Sequence, residues 1–236
     1  MSETTINNMN HPIDVVIAWV DGSDPKLKVK RELFIHGEIT FNTQGVQATR
    51  FASSNEIRYC ILSILKFAPF VRNIYIVTDD QNPNYIDYIN RYFPERLSSI
   101  KIVDHKEIFR GFEEHLPTFN SISIGNMIWR INDLSENFAY FNDDVFLIRE
   151  VKPTDWVLNN RPVLRGEWRF PPYIKIFKNY FKLIFNRYIL GNTNYREKFS
   201  FFLVQWNAAR ILGMRFRYFV NGHTPHIMNK TRLENF

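Results

Sequence analysis

The chain has 236 residues, of which 45% are hydrophobic and 23% are charged, and its formal net charge is +6. This composition excludes a largely disordered protein and is sufficient for one compact domain with a substantial core. Cys60 is the single cysteine, which excludes an intramolecular disulfide and a cysteine-built zinc site.

The first twelve residues are predicted to form a disordered lead-in to a single domain that spans residues 13–236. The lead-in is polar and lacks the basic start and apolar stretch of a secretory signal. No apolar run in the chain approaches the roughly 20 residues that a membrane-spanning helix needs. The expected location is therefore the cytoplasm.

Apolar runs and helical spacings alternate along the first two thirds of the chain. Ser53 and Glu56 have the spacing of a capping box before one of the helices, and Pro69 ends that helix. In chain order, the predicted elements are a strand at 13–20, helices at 26–37 and 57–68, a strand at 73–78, a helix at 84–92, and strands at 100–103, 138–141 and 145–148. This order predicts an α/β fold in which helices flank a mostly parallel sheet.

The final third of the chain, residues 153–236, is predicted to be a mainly helical, aromatic-rich cap. Residues 161–190 contain seven basic residues against one acidic residue, Glu167. Within residues 171–190, apolar side chains recur at helical spacing with Lys and Arg between them, which is typical of a basic amphipathic helix on an anionic membrane surface. A surface helix that packs its apolar face on the sheet is the alternative. No recognition motif for nucleic acid accompanies the basic patch, so nucleic-acid binding is not expected.

Aspartates follow three of the predicted strands at the point where each strand ends. Asp21 and Asp24 follow the first strand, Asp79 and Asp80 the second, and the pair Asp143-Asp144 a later one. In open α/β sheets, ligands bind beyond the carboxyl ends of the strands, and clustered carboxylates there favour a divalent cation, Mg²⁺ or Mn²⁺, that also binds a diphosphate. The alternative is that these aspartates only stabilise turns.

Two histidines, His223 and His226, flank a Thr-Pro pair after an apolar segment. A neutral imidazole in such a turn can accept a proton near pH 7. His115 is a third candidate, and a purely structural turn is the alternative for all three residues.

Three segments together resemble the Stealth family of sugar-phosphate transferases. IDVVIAWVDGSDP at 13–25 resembles the first conserved block, the segments at 55–83 and 115–147 resemble the second, and GHTPH at 222–226 resembles the third. The resemblance implies a nucleotide-sugar transferase fold of the GT-A-like type. It also implies transfer of a sugar-1-phosphate from a UDP-sugar to a hydroxyl, with release of UMP, in capsular polysaccharide synthesis.

Matched residue by residue, the functional positions of the family fall on Asp21, Asp24, Arg58, Asp79, His115, Asn120, Asn142, Asp143, Asp144, His223 and His226. Asp143 and Asp144 are predicted to bind the metal ion and the diphosphate, while Asp21 and Asp24 lie near the nucleotide. His223 is the favoured proton acceptor, with His226 or His115 as alternatives, and Arg58 is expected to hold phosphate oxygens. The expected partners are a UDP-sugar and a glycan or lipid-linked glycan acceptor.

The chain departs from the family pattern at two places. After Ser121 the family has His-Ala-Ile-Glu, whereas this chain has Ile122-Ser123-Ile124-Gly125. The chain also stops soon after the third block, either because the protein is a minimal member or because the chain was cut. A glycosyltransferase that moves only the sugar and releases UDP therefore remains an alternative, as does an inactive glycan-binding subunit.

Overall fold

A computed structural model describes residues 11–34, 55–192, 201–222 and 224–235. These residues belong to two compact units. The sheet unit consists of the described residues up to Leu164 together with those from Thr224 onward, and the inserted unit consists of those in the range Arg165–His223. None of the described helices is long and apolar enough to cross a membrane.

The sheet unit alternates strands and helices in the order that the sequence predicts. Its elements are β1 (Ile13–Ala18), α1 (Pro25–Phe34), α2 (Glu56–Phe67), β2 (Val71–Thr78), α3 (Ile86–Tyr92), β3 (Ile100–Asp104), α4 (His105–Ile108), α5 (Ser121–Gly125), β4 (Asn137–Asn142), α6 (Pro153–Trp156), β5 (Val157–Leu158), β6 (Arg161–Pro162), and, after the inserted unit, β9 (His226–Asn229) and α9 (Lys230–Glu234). Short 3₁₀ turns at Pro94–Ser99, Glu113–His115 and Ile128–Arg130 connect them.

The central sheet has five strands in the order β3-β2-β1-β4-β9. The first four strands are parallel, and β9 pairs antiparallel with β4. β1 lies in the middle of the sheet and is apolar along nearly its whole length because both of its faces are covered. The predicted mostly parallel sheet with flanking helices is confirmed.

Two apolar clusters cover the faces of this sheet. Ile57, Ile61 and Ile64 of α2 pack against Val15 and Ile17 on one face. The opposite face carries a second cluster that contains residues of β1, β2 and β4 and the segments between β3 and β4. Side chains alternate between the two clusters along each strand, as the pleat requires.

A buried charge lies at the amino end of β1. Asp14 is fully buried, and its two carboxylate oxygens accept four hydrogen bonds. The donors are Arg72 Nε (2.9 Å) and Nη2 (2.6 Å) and the backbone amides of Asn73 (3.0 Å) and Ser135 (2.7 Å). Arg72 of β2 and Ser135 before β4 therefore fix both neighbouring strands to β1, at the edge opposite to the aspartates that follow the strands.

One prediction for this unit is wrong, and a second falls partly on residues that the structure does not describe. Val145–Ile148 does not form a strand. Val145 and Leu147 pack on the α2 side of the core, and the amide of Leu147 donates to Ser63 Oγ at 3.0 Å, so their alternating burial comes from docking on α2. The residue before α2 is Asn55, in a left-handed conformation without a side-chain cap, while Ser53 of the predicted capping box lies outside the described residues.

The inserted unit contains β7 (Gly166–Arg169), α7 (Tyr173–Ile184), a π-helical turn at Phe185–Ile189, α8 (Phe201–Ile211) and β8 (Tyr218–Asn221). β7 and β8 form an antiparallel pair. Trp206 and Tyr218 form the centre of a small core against which Ile176 of α7 packs. The described residues from 153 onward thus contain five short strands as well as helices, and one of these strands, β9, completes the central sheet.

Candidate active site

The ends of three neighbouring strands lie side by side at one edge of the central sheet. Ala18, the last residue of β1, is paired with Val77 of β2 and with Asn142 of β4. The amide of Trp19 extends this alignment by donating to the Val77 carbonyl at 2.9 Å. The aspartates that follow β1, β2 and β4 therefore leave the sheet from the same edge, as the sequence predicts.

The loop after β1 is organised by its own aspartates and by Gln81. Asp21 Oδ1 accepts from the amide and the hydroxyl of Ser23, and Asp24 Oδ1 accepts from the amide of Lys26 in the first turn of α1. The Gln81 side chain accepts from the amide of Asp21 (2.9 Å) and donates to Asp24 Oδ2 (2.9 Å). Hydrogen bonding, chiefly from Gln81, lowers the pKa of Asp24. These contacts keep the loop after β1 joined to the loop after β2.

The two aspartates after β2 differ in their surroundings. Asp79 is mostly buried and both of its oxygens accept from Lys30 Nζ, at 2.7 and 2.6 Å. Asp80 has a left-handed backbone (φ 53°), and its amide donates to Asp104 at 2.9 Å. Lys30 of α1 thus neutralises the charge of Asp79 within the protein itself.

The pair after β4 lacks such compensation. Burial, reinforced by the neighbouring Asp144, raises the pKa of Asp143 to about 6. Among the described residues, no Lys, Arg or His forms an ion pair with either carboxylate. Cys60 of α2 lies directly against this turn, since its Sγ is 3.8 Å from the carbonyl of Asn142. Burial and the two carboxylates also raise the pKa of this thiol.

β9 brings a histidine to the same edge. Because β9 is antiparallel to β4, its first residue, His226, is paired with Tyr140, two residues before Asn142. Burial raises the pKa of Tyr140, and Asp143 contributes to the same shift, which indicates that the tyrosine and the carboxylate are neighbours. His223, the favoured proton acceptor, lies outside the described residues.

The remaining predicted site residues in the described part of the chain are Arg58, His115 and Asn120. Arg58 is on the first turn of α2, and its Nη1 donates to the Tyr88 hydroxyl at 2.6 Å. His115 is exposed on a 3₁₀ turn and contacts Glu114 at 3.5 Å. Asn120 caps α5 by accepting from the amide of Ile122 at 3.0 Å. The described contacts do not connect His115 or Asn120 to the aspartates that follow the strands.

Three buried polar atoms at this edge have no hydrogen-bond partner among the described residues. They are Trp19 Nε1 just after β1, Thr78 Oγ1 at the end of β2, and His105 Nδ1 just after β3. Burial lowers the pKa of His105, which favours its neutral form. Buried polar groups in native proteins are normally satisfied, so this row of atoms is suited to polar groups of a ligand or to ordered water.

The carboxylates fit a divalent cation that is shared with a substrate. Within the described part of the chain, no group of three or more His, Cys, Asp or Glu side chains is arranged to hold a metal ion. Mg²⁺ does not require such a group, because it is usually held by one or two carboxylates and completes its shell with water and phosphate oxygens. Asp143 and Asp144, whose mutual repulsion a cation would relieve, supply that donor set.

The sequence did not identify Lys30, Gln81, Cys60 or His105 as parts of this edge. Gln81 directly follows Asp79-Asp80, and its place after a predicted strand was a usable signal. Lys30 and Cys60 are helix residues whose relation to the edge depends on how α1 and α2 pack. Nothing in their local sequence distinguishes them from ordinary helix positions.

Two family models match the sheet unit. The model described as Stealth protein CR1, conserved region 1, matches residues 11–36, and Stealth protein CR2, conserved region 2, matches residues 50–164. The matched residues include β1 with its following loop and the elements from α2 through β6, and therefore all of the aspartates that follow the strands. The first two blocks that the sequence analysis identified are confirmed.

Curated relatives extend the comparison. An exopolysaccharide phosphotransferase of Lactiplantibacillus plantarum is 33% identical over 94% of this chain. One from Streptomyces coelicolor is 44% identical over 63% of the chain, and a capsular polysaccharide phosphotransferase of Actinobacillus pleuropneumoniae is 39% identical over 64%. The matches cover 65%, 26% and 39% of those proteins respectively, so this chain spans less than two thirds of each.

Proposed function

Since the chain belongs to the Stealth family, we propose that it transfers a sugar-1-phosphate from a UDP-sugar to a hydroxyl of a glycan during synthesis of a cell-surface polysaccharide. The observation that carries the proposal is the Asp143-Asp144 pair. Asp143 is partly buried and Asp144 is exposed, and neither forms an ion pair with a cationic side chain among the described residues. The pair directly follows β4, a strand of the parallel part of the sheet. The names of the relatives support the same reaction class.

In this reaction the oxygen of the acceptor hydroxyl attacks the β-phosphorus of the UDP-sugar. A new oxygen–phosphorus bond forms, and the bond between the β-phosphorus and the bridging oxygen breaks. The bridging oxygen leaves with UMP, while the hydroxyl proton passes to a base. The product is a phosphodiester between the acceptor and the sugar. Such chemistry depends on neutralising the diphosphate and on aligning the attacking and leaving oxygens.

Asp143 and Asp144 would hold the divalent cation, Mg²⁺ or Mn²⁺. When bound, the cation would supply the positive charge that the diphosphate needs at this acidic edge. The loop that contains Asp21 and Asp24 would border the nucleotide, and its hydrogen bonds to Gln81 would keep it in place. Arg58 would contribute charge-assisted hydrogen bonds to phosphate oxygens.

A histidine of the segment 223–226 would accept the proton from the acceptor hydroxyl. His223 is the preferred base. His226 is the alternative that the described contacts support, because it is paired with Tyr140 next to the aspartate edge. His115 is less suited to this role, because its side chain is 65% exposed and contacts Glu114.

The decisive experiment identifies the released nucleotide. The protein is incubated with a panel of UDP-sugars, Mg²⁺ or Mn²⁺ and glycan acceptors, and the products are separated by ion-exchange chromatography. UMP release that requires an acceptor supports phosphotransfer. UDP release would replace the proposal with glycosyl transfer, and absence of any turnover with every donor would favour a glycan-binding subunit.

Asp144→Asn tests the role of the pair. We expect this variant to lose turnover while it keeps the circular dichroism spectrum of the wild-type protein. Asp80→Asn is the matched control, because Asp80, like Asp144, is an exposed aspartate that closely follows a strand at this edge. Near-normal turnover of Asp144→Asn would remove that residue from the mechanism.

We also propose that α7 and its π-helical extension attach the protein peripherally to the inner face of the cell membrane. Ile174, Phe177, Phe181 and Tyr188 are between 62% and 82% exposed, and Lys175, Lys178, Lys182 and Arg187 lie between them. The range 165–223 contains eleven Lys and Arg residues against two Glu, which concentrates the positive charge of the chain there. Exposed aromatic rings with interleaved cations suit an anionic lipid surface.

Liposome flotation tests this attachment. Vesicles that contain phosphatidylglycerol should carry the wild-type protein upward, and a variant with Lys175, Lys178 and Lys182 changed to Gln should remain at the bottom of the gradient. A second variant, in which Lys26, Lys28 and Lys101 are changed to Gln, loses the same charge from the sheet unit and should still float. Equal flotation of all three proteins would contradict the proposal.

A further inference from the structure

A concave surface lies between α2 and α3 of the sheet unit. This α2–α3 cleft has a volume of about 620 Å³, and its lining includes Arg58, Tyr59, Lys66, Tyr88, Tyr92 and Phe93. None of the described residues that line it is acidic. The nucleotide and metal functions proposed above involve Arg58 of this lining and leave the remainder of the cleft without a role.

The lining combines aromatic rings with cations. Tyr59 and Tyr92 are 67% and 56% exposed, so their ring faces are accessible to a ligand in the cleft. The Arg58 guanidinium stacks over the Tyr88 ring, with its central carbon 4.4 Å from the ring centroid, and donates to the hydroxyl of the same residue. This double contact holds the guanidinium rigidly at one wall of the cleft.

These groups select the chemical class of the ligand. A tyrosine ring offers an apolar face to the C–H groups of a sugar ring and a hydroxyl to its oxygens. Lys66 offers charge-assisted hydrogen bonds to an anion such as phosphate, and Arg58, which is proposed above to bind the donor phosphates, adds positive charge at the near end of the cleft. A neutral glycan would use only the rings, and a free phosphate would use only the cations. A chain in which sugars alternate with phosphodiesters would use both.

The position of the cleft relates it to the aspartate edge. One end is at the first turn of α2, where Cys60 contacts the carbonyl of Asn142 and the Tyr59 ring packs edge-on to Phe146 with centroids 6.4 Å apart. The cleft then follows α2 as far as Lys66. Eight residues separate Arg58 from Lys66, which corresponds to about 12 Å along a helix. The cleft therefore begins beside the Asp143-Asp144 turn and extends away from it.

We propose that the α2–α3 cleft binds the growing end of a glycan that already contains phosphodiester linkages, so that its terminal hydroxyl reaches the Asp143-Asp144 edge. The proposal rests on the proposed function, because the phosphodiester in the acceptor is the product of an earlier round of the same transfer. It also implies that the enzyme prefers its own product as the next acceptor and elongates a chain.

The test measures binding of two synthetic disaccharides by calorimetry. In one, the sugars are joined by a phosphodiester; in the other, the same sugars are joined by a glycosidic bond. The wild-type protein should bind the phosphodiester compound at least about tenfold more tightly, which corresponds to about 1.4 kcal/mol for a charge-assisted contact. Lys66→Gln should reduce this preference to within about threefold, and Tyr92→Ala should weaken both compounds about tenfold.

Lys101→Gln, at an exposed position of the edge strand β3, is the matched control and should bind like the wild-type protein. UMP binding is measured for every variant and should not change. If Lys66→Gln and Tyr92→Ala both bind the disaccharides like the wild-type protein, the cleft is not an acceptor site. If Tyr92→Ala instead loses UMP binding, the cleft belongs to the nucleotide. The nucleotide-release assay tests the proposed function separately. UDP release would contradict phosphotransfer, but it would not alter the disaccharide affinities that test the cleft.

Discussion

Asp143 is placed where its charge is unfavourable for folding, and replacing it should stabilise the protein. Burial, with help from Asp144, raises its pKa from an ordinary value of 3.8 to about 6. A folded state with a raised carboxyl pKa binds the proton more tightly than the unfolded state does. Stability is therefore lost as the pH rises from about 4 through about 6, and the full loss is present above that range.

The magnitude follows from the two pKa values. One pKa unit corresponds to about 1.4 kcal/mol, so the ionised Asp143 destabilises the fold by about 3 kcal/mol at pH 7.5. At pH 4.5 this carboxyl is still protonated in the folded protein but mostly ionised in the unfolded chain. Relative to its value at low pH, the stability is therefore lower by only about 1 kcal/mol. Asp143→Asn removes the ionisable group. Its stabilising effect should therefore be larger at pH 7.5 than at pH 4.5 by about 2 kcal/mol.

Urea unfolding followed by circular dichroism at the two pH values measures this difference. Asp24→Asn is an informative control, because the pKa of Asp24 is lowered and its ionised form favours the fold. Both pH values lie above the ordinary value of 3.8, so this substitution should destabilise the protein by a similar amount at each pH. Asp143→Asn should also lose turnover. An Asp143→Asn protein that is no more stable than wild type at pH 7.5, or whose advantage is the same at both pH values, would refute the reasoning.

Three further predictions concern buried residues. Asp14→Asn weakens the hydrogen bonds that the carboxylate accepts from Arg72 and from the amides of Asn73 and Ser135, and should lower the free energy of unfolding by about 1–3 kcal/mol, measured in urea. Cys60 should resist alkylation by iodoacetamide in the folded protein and react after unfolding, because burial raises its thiol pKa; rapid labelling of the native protein would contradict this. Trp156→Ala removes a buried ring that packs edge-on against Phe70 and Phe141, and should cost about 3–5 kcal/mol, seen as a lower urea midpoint.

Much of the central sheet could be predicted from local sequence because its strands are buried on both faces. The run at 13–20 and the run at 73–78 are continuous apolar segments that stop at aspartate, and both form parallel strands. The strand predicted at 145–148 failed for a physical reason. Alternating burial arises wherever an extended segment lies on a core, and only hydrogen bonding to a neighbouring strand, which this segment lacks, makes it a strand.

The features of the fold and of the site that escaped prediction depend on contacts between distant residues. Asp14 looked like an interruption of an apolar run, whereas its partner Arg72 is 58 residues away. Asp79 and Asp143 looked equivalent in sequence, since each begins an Asp-Asp pair after a strand. Lys30 of α1 compensates one and no described cation compensates the other, so only the packing of α1 separates a paired carboxylate from a strained one.

The order of the elements along the chain has a consequence for biosynthesis. β9 follows the whole inserted unit, so a ribosome completes residues 165–223 before it makes the strand that covers β4. Until then β4 is an open edge with unpaired backbone groups, and such edges invite pairing with other chains. The strand that closes the edge also contributes His226, so closure of the sheet and assembly of the site would occur together, after the inserted unit has been made.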